Sequence, residues 1–197
     1  MANIILSGVG GQGVLTLAAL IGNAAVIEGC EVKLSEVHGM AQRGGSVTCH
    51  VRYGTKIYSP LLMEGSADMI IALEASEAFR VAQFLKPGGT VILNDYELPP
   101  PMTIIKGFKY PGISTVIDGF SEFTDKLYVV NANKIAAEVG SLNVANTVIL
   151  GAAWATGGLN IKKESLIEAM TVRFGEKWKS INVKAFEEGA KSVGKQG

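Results

Sequence analysis

The opening of the chain fixes most of what it can fold into. Asn3 to Ser7 is a short apolar run that breaks into the glycine-rich stretch GVGGQG. The chain then enters a helical pattern, with Val14, Leu15, Ala18, Ile21 and Ala25 spaced along one face as far as Gly29. The same order, apolar run then turn then helix, returns twice. ADMIIALE is a continuous apolar run, ASEAFRVAQFL reads as helical, and KPGGTVILND reads as a Pro-Gly-Gly turn feeding a further strand. KLYVVNANKIAAEVG is again a strand followed by a helix, with Asn131 or Asn133 placed to cap its N-terminus. Strands that are apolar throughout, instead of alternating, are buried on both faces, as in parallel sheets covered by helices. Three such units predict an α/β fold: a three-layer α/β/α sandwich forming a single domain over residues 1–197, with a Rossmann-like start.

One segment breaks that regularity. CEVKLSE alternates, with Val32 and Leu34 against Glu31, Lys33 and Ser35, as a half-buried strand does. No crossover helix follows it. A nine-residue loop after Glu36 leads directly into Val47, Cys49, Val51 and Tyr53, which alternate with Ser46, Thr48, His50 and Arg52. The βαβ pattern is therefore interrupted and the sheet is expected to be mixed. The Gly54-Thr55 turn into KIYSPLL looks like a hairpin, and His50, on the polar face of its strand, is expected to meet solvent. Residues 96–125 carry Pro99, Pro100 and Pro101 and only short apolar runs, so ELPPPM reads as a rigid connector. The end of the chain is helical. Asn143 to Thr156 is apolar nearly all round and must be buried, and Trp154 and Trp178 are read as core residues in preference to interface anchors.

Two loops carry more chemistry than turns require. Gly8, Gly10 and Gly13 match G-x-G-x-x-G between a strand and a helix, with Gly11 and Gln12 inside the motif. Glycines there allow a tight turn and close backbone approach to a phosphate, at a helix N-terminus whose free N–H groups attract anions. Glu36 stands near the offset of a ribose-binding acid. Against a nicotinamide dinucleotide site stand the missing crossover helix and the polar side chain of Gln12 just before the third glycine. The second loop, SEVHGMAQRGGSV, gathers Glu36, His38, Gln42, Arg43, Gly44 and Gly45. Its imidazole, amide and guanidinium suit a carboxylate or phosphate, and its glycines suit close approach to another surface. The competing reading is that these groups cap their own backbone, with Glu36 and Gln12 bonded to loop amides.

Charge and cysteine content exclude several functions. Lys plus Arg number 18 and Asp plus Glu number 18, so no basic excess points to nucleic acid. The N-terminal apolar run is too short to span a bilayer and has no basic flank, so no membrane role and a cytoplasmic location are expected. Cys30 and Cys49 stand apart from each other, which is no disulfide framework and too few thiolates for a four-cysteine iron–sulfur cluster.

GVGGQGVLTLA and SEVHGMAQRGGSV, with YSPLL, LKPGGTVILND and NVANTVILGA, closely resemble the gamma-type subunits of 2-oxoacid:ferredoxin oxidoreductases, and most of all the small-subunit branch that serves indolepyruvate. The similarity runs from Asn3 to about Ala153. What the resemblance implies is a subunit, inert alone, of an enzyme that oxidatively decarboxylates an aryl pyruvate with coenzyme A, giving an arylacetyl-coenzyme A, carbon dioxide and reduced ferredoxin. It further implies that thiamine diphosphate, magnesium and the iron–sulfur clusters sit in a large partner subunit, through which ferredoxin is reached, and that this chain alone binds no cofactor and supplies no catalytic side chain. The cysteine count agrees, as does the lack of a GDG motif with a following Asn pair, by which thiamine enzymes hold a metal-bound diphosphate. The residues expected to meet cofactor or partner are Gly8, Gly10, Gly11, Gln12, Gly13, Glu36, His38, Gln42, Arg43, Gly44 and Gly45, with Arg43 the leading anion contact.

Overall fold

The computed structural model describes residues 1–38, 44–99 and 110–193, with His38 described by its backbone alone. The strands are β1 (Ala2–Val9), β2 (Glu31–His38), β3 (Ser46–Gly54), β4 (Ala67–Ala72), β5 (Leu85–Asn94) and β6 (Leu127–Val130). They pair in the order β2-β3-β1-β4-β5-β6. β1, β4, β5 and β6 run parallel, and β3 is antiparallel to both β1 and β2. The inversion follows from loop length: seven residues join β2 to β3, and a short connection cannot return a strand parallel to itself. The mixed sheet expected from the interrupted pattern is thus present.

Helices cover both faces. α1 (Val14–Ile27), α4 (Ala132–Val139), α5 (Ala145–Ala155), α6 (Lys163–Phe174) and α7 (Glu176–Val193) pack on one side, over Ile4, Leu6, Cys49, Val51, Met69 and Ile71. α2 (Ala75–Arg80) and α3 (Ile113–Ser121) pack on the other, over Ile5, Ile70, Ala72, Val91 and Leu93. Successive residues of β1 therefore point into opposite cores, which is why that strand reads as unbroken apolar sequence. α1 ends where Gly29 takes φ +79° and Cys30 N–H reaches back to Ala25 O at 3.0 Å. α5 is buried as expected, against α7. A Cβ on Gly151 would lie 1.9 Å from Phe186 O, and one on Gly189 1.9 Å from Val148 O, so the two helices touch backbone to backbone. Trp154 belongs to this packing, its indole N–H donating to Ile161 O at 3.0 Å, whereas Trp178 is half exposed.

Several expectations are corrected. KIYSPLL forms no strand. β3 has its hairpin partner upstream in β2, and the segment after Gly54 is held instead by Arg52, whose Nη1 donates to Ser59 O at 2.8 Å and Leu61 O at 3.1 Å. His50 is buried, because β3 lies inside the sheet and its second face is covered by that segment. Its Nδ1 accepts from Leu62 N–H at 3.1 Å and its ring stands edge-on to Phe84. Burial, and then the Arg52 charge, hold its pKa below the ordinary imidazole value. Pro87-Gly88-Gly89 is not a turn before β5 but an irregularity within it, between the pairs Ala67–Leu85 and Met69–Thr90. The expected helix ASEAFRVAQFL divides into α2 and a 3-10 turn at Ala82–Phe84. The uncertain stretch 96–125 contains α3, while Pro100 to Met102 of ELPPPM lie outside the described residues.

Candidate functional site

The carboxyl ends of the parallel strands share one edge of the sheet, and both sequence-marked loops arrive there. The glycine loop leaves β1, and the second loop enters β3 beside it, since Val9 pairs with Ser46. Gly10 N–H donates to Gly45 O at 2.9 Å, which joins the two loops. The glycines divide the work differently from the motif. A Cβ on Gly8 would fall 2.8 Å from both Gln12 Oε1 and Val14 Cγ2, so this position is closed by packing. Positive φ occurs at Gly11 (+104°) and Gly13 (+88°), not at Gly10. Gln12 turns inward, its Oε1 accepting from Val9 N–H at 2.8 Å, so the self-capping expected as one alternative is what this side chain does.

Glu36 does not reach the glycine loop's strand. β3 intervenes between β1 and β2, placing β2 at the sheet edge about two strand spacings, ~10 Å, from β1. Glu36 is exposed there, opposite Cys49. A ribose-binding acid requires the next strand to neighbour β1 directly, so the dinucleotide arrangement is not formed. Cys49 lies buried against β1, and its thiol is pushed up to about 12 by burial and then by the Glu36 carboxylate, so it stays protonated at neutral pH. Gly44 is exposed with φ +72°. Gln42 and Arg43 lie outside the described residues, as does the side chain of His38, whose backbone closes β2 opposite Val47.

Sequence reasoning missed four residues at this edge. Glu74, fully buried after β4, accepts from Ser76 Oγ at 2.7 Å, Glu77 N–H at 2.9 Å, Leu98 N–H at 3.1 Å and the Tyr110 hydroxyl. It caps α2 and anchors the chain on either side of residues 100–109. Glu77 accepts from Ser46 Oγ and from Arg80 Nε at 3.1 Å, tying the first residue of β3 to α2. The E-x-x-E spacing before a helix was a legible capping signal. Asn94 accepts from Ala132 N–H at 3.0 Å and donates to Leu73 O at 3.1 Å and Asn133 Oδ1 at 3.0 Å, clasping β4, β5 and α4. Asn146 sits inside an apolar run and gave no signal.

The helix after β1 covers one face and the helix after β4 covers the other, so the crevice between these two strand ends is the point where the winding reverses. Open α/β sheets bind ligands at such points. A cavity of about 360 Å³ occupies it, bounded by Gly11, Gly13, Thr16, Leu73, Asn94 and Asn146 among others. Its lining carries no charged side chain.

Residues 3–192 match the family model described as pyruvate ferredoxin/flavodoxin oxidoreductase. The chain belongs to that family. Among its relatives is the indolepyruvate oxidoreductase subunit IorB of Pyrococcus horikoshii, 38% identical over 194 residues, which cover 97% of this chain and 95% of the relative. The pyruvate/ketoisovalerate oxidoreductases common subunit gamma of Thermococcus kodakarensis is 34% identical over 197 residues, covering 95% of each chain. The crystal structure of the keto/oxoacid ferredoxin oxidoreductase gamma subunit from Geobacter sulfurreducens superposes with a TM-score of 0.72 at 25% identity, over 98% of both chains. The chain is accordingly a small subunit of a hetero-oligomeric 2-oxoacid:ferredoxin oxidoreductase, in the pyruvate ferredoxin/flavodoxin oxidoreductase family. Among the described residues, no group of three or more His, Cys, Asp or Glu side chains gathers in a way that could hold a metal ion, and no helix is long and apolar enough to cross a membrane.

Proposed function

We propose that this chain serves an enzyme acting on indolepyruvate and other aryl pyruvates. In the reaction the bond between the carbonyl carbon and the carboxylate breaks and carbon dioxide leaves. The remaining acyl group is oxidised and passes to the thiol of coenzyme A, and the electron pair goes to ferredoxin. The observation that carries this reading is the near-complete alignment with a relative named for indolepyruvate, over 97% of the chain. Residues 1–197 act as one unit in the cytoplasm. The large subunit holds thiamine diphosphate, magnesium and the iron–sulfur clusters and docks ferredoxin, and thiamine diphosphate supplies the carbanion stabilisation that decarboxylation needs. Cys30 and Cys49 support this division of labour, being the only thiols in the chain and standing apart, Cys30 just before β2 and Cys49 within β3.

The role of this chain is to shape the boundary with the large subunit. The stitched pair of loops, from Gly8 to Gly13 and from Glu36 to Gly45, forms the contact surface, with His38, Gln42 and Arg43 presenting donors to an anionic group there. Co-expression of the chain with its large subunit, followed by coenzyme A-dependent reduction of ferredoxin with a panel of 2-oxoacids, tests the reading. Indolepyruvate and phenylpyruvate should be the best substrates. A preference for pyruvate, 2-oxoglutarate or branched-chain 2-oxoacids would move the assignment to the second reading, which the 34% identity with a pyruvate/ketoisovalerate subunit favours. A free-standing dinucleotide oxidoreductase is disfavoured by the strand inserted between β1 and β2.

A further inference from the structure

We infer that Glu77 is a positioning residue for this site: acting through Ser46, its carboxylate holds the end of the second loop against the glycine loop. The inference rests on the reading that the two joined loops form the contact surface with the large subunit, and it is independent of which 2-oxoacid the enzyme uses. The contacts run without a gap. Glu77 lies buried in the first turn of α2. One of its carboxylate oxygens accepts from Ser46 Oγ and the other from Arg80 Nε at 3.1 Å. Ser46 pairs with Val9 at the end of β1, and the residue before it, Gly45, takes Gly10 N–H on its carbonyl at 2.9 Å. A hydroxyl, one peptide unit and one backbone hydrogen bond thus join a buried acid to the glycine loop.

Packing alone does not call for an acid at this position. Ala75 and Ala78, its neighbours on α2, belong to the apolar core of that face, and taking a carboxylate out of water is costly where a space-filling apolar residue would serve. Arg80 returns little of that cost, because its side chain is 62% exposed and the pair is screened by water. The hydroxyl of Ser46 on a carboxylate is the strong and directional contact of the set. What it restrains is a stretch of backbone with little other hold. Gly44 has φ +72°, and a Cβ there would meet nothing within 4 Å, so the adjacent glycines leave the end of the loop free to turn. Ser46 is the first residue beyond them and is half-buried. The acid that holds it is itself seated, since Glu77 N–H donates to the Glu74 carboxylate at 2.9 Å. Glu74 also accepts from Leu98 N–H and the Tyr110 hydroxyl, and Ala75 N–H donates to Tyr96 O at 3.0 Å, so the same turn of α2 fixes the neighbouring chain at this edge of the sheet.

The test is native-state hydrogen exchange of the full chain, followed by amide NMR, with Gly10 N–H as the reporter and the Ile71 amide in β4 as the measure of global opening. Ser46→Ala removes the hydroxyl alone and should speed exchange at Gly10 by about tenfold or more, the loss expected for a hydrogen bond to a charged group, while Ile71 keeps its rate. Ser46→Thr retains a hydroxyl on a residue that suits a strand and should restore the parental rate. Glu77→Gln, whose amide oxygen still accepts from Ser46 but without the charge, should fall between the two. In titrations with the large subunit, Ser46→Ala should bind more weakly by about tenfold or more, and Ser46→Thr as the parent does. A bond that served only the stability of the fold would speed Gly10 and Ile71 together. The inference is overturned if Gly10 in Ser46→Ala keeps its parental rate or rises only in step with Ile71, or if the variant frees the Gly10 amide and yet binds the large subunit as tightly as the parent. A parent chain that does not bind the large subunit would sink the contact-surface reading, and the exchange rates would still decide the role of Glu77, so the two readings fail separately.

Discussion

His50 shows how one side chain can be mistaken for surface and yet hold a covering segment in place. Its Nδ1 must be unprotonated to accept from Leu62 N–H, and burial favours that neutral form. The sign follows. The unfolded chain takes up the proton near the ordinary value of 6.5, and the folded chain only at lower pH. The stabilisation is therefore complete above that value and is lost as pH falls through the window down to the depressed folded pKa. Urea unfolding between pH 7 and 5 should show stability falling with pH, and His50→Gln, which can still accept but does not titrate, should flatten that slope. Arg43 is expected to behave in the opposite manner, as a contact outside the fold. Arg43→Ala should change the melting of the free chain by no more than about 0.5 kcal/mol, while association with the large subunit or turnover falls by about one to two orders of magnitude, equivalent to ~1.5–3 kcal/mol. Lysine should rescue in part, keeping charge but not the bidentate fork. A free chain that unfolds while its folded fraction assembles and turns over normally would assign the loop to self-capping.

At the scale of elements, the tightest junction is the crossing of α5 and α7. Gly151→Ala forces a Cβ against the Phe186 carbonyl and must separate the helices, so a loss of ~1–3 kcal/mol or more is expected in chemical denaturation. Retained stability would show that the crossing is looser than a 1.9 Å approach to the Phe186 carbonyl allows. Elements were legible where one physical rule governed them. β1, β4 and α1 follow from unbroken apolar runs and a 3.6-residue period, and α4 from Asn131, whose side chain accepts from Lys134 N–H at 3.0 Å as the expected cap. Alternation misled at β3, because His50 and Arg52 face a side covered by chain from residues 55–66, and no local pattern announces a cover that itself lacks secondary structure. The Pro-Gly-Gly signal was real, but it marks an irregularity inside β5. The site was legible to the extent that its loops are glycine-rich. The joining of Gly10 to Gly45, and the distance of Glu36 from β1, depend on strand order, which residue spacing does not encode. Asn146 stayed invisible inside NVANTVILGA, where only the meeting of α5 with the α1 terminus brings it to the cavity.

At the scale of the whole molecule, a small subunit of this kind is expected to be productive only with its partner. Its sheet is covered on both faces, while its marked loops crowd a single edge, so the chemistry it offers is presented at one end. The purified chain should contain neither iron nor thiamine diphosphate, as metal analysis and a thiochrome assay will show, and stoichiometric amounts of either would refute the division of labour between subunits. Reconstitution tests this dependence on a partner directly. Purified chain is titrated into its large subunit and the reduction of ferredoxin is followed with indolepyruvate and coenzyme A. A stoichiometric complex is expected, with no turnover by this chain alone and indolepyruvate-dependent reduction that appears when the subunits combine. A chain that fails to bind the large subunit, or a large subunit that reaches full activity on indolepyruvate without it, would show that this chain is not the small subunit of an indolepyruvate enzyme.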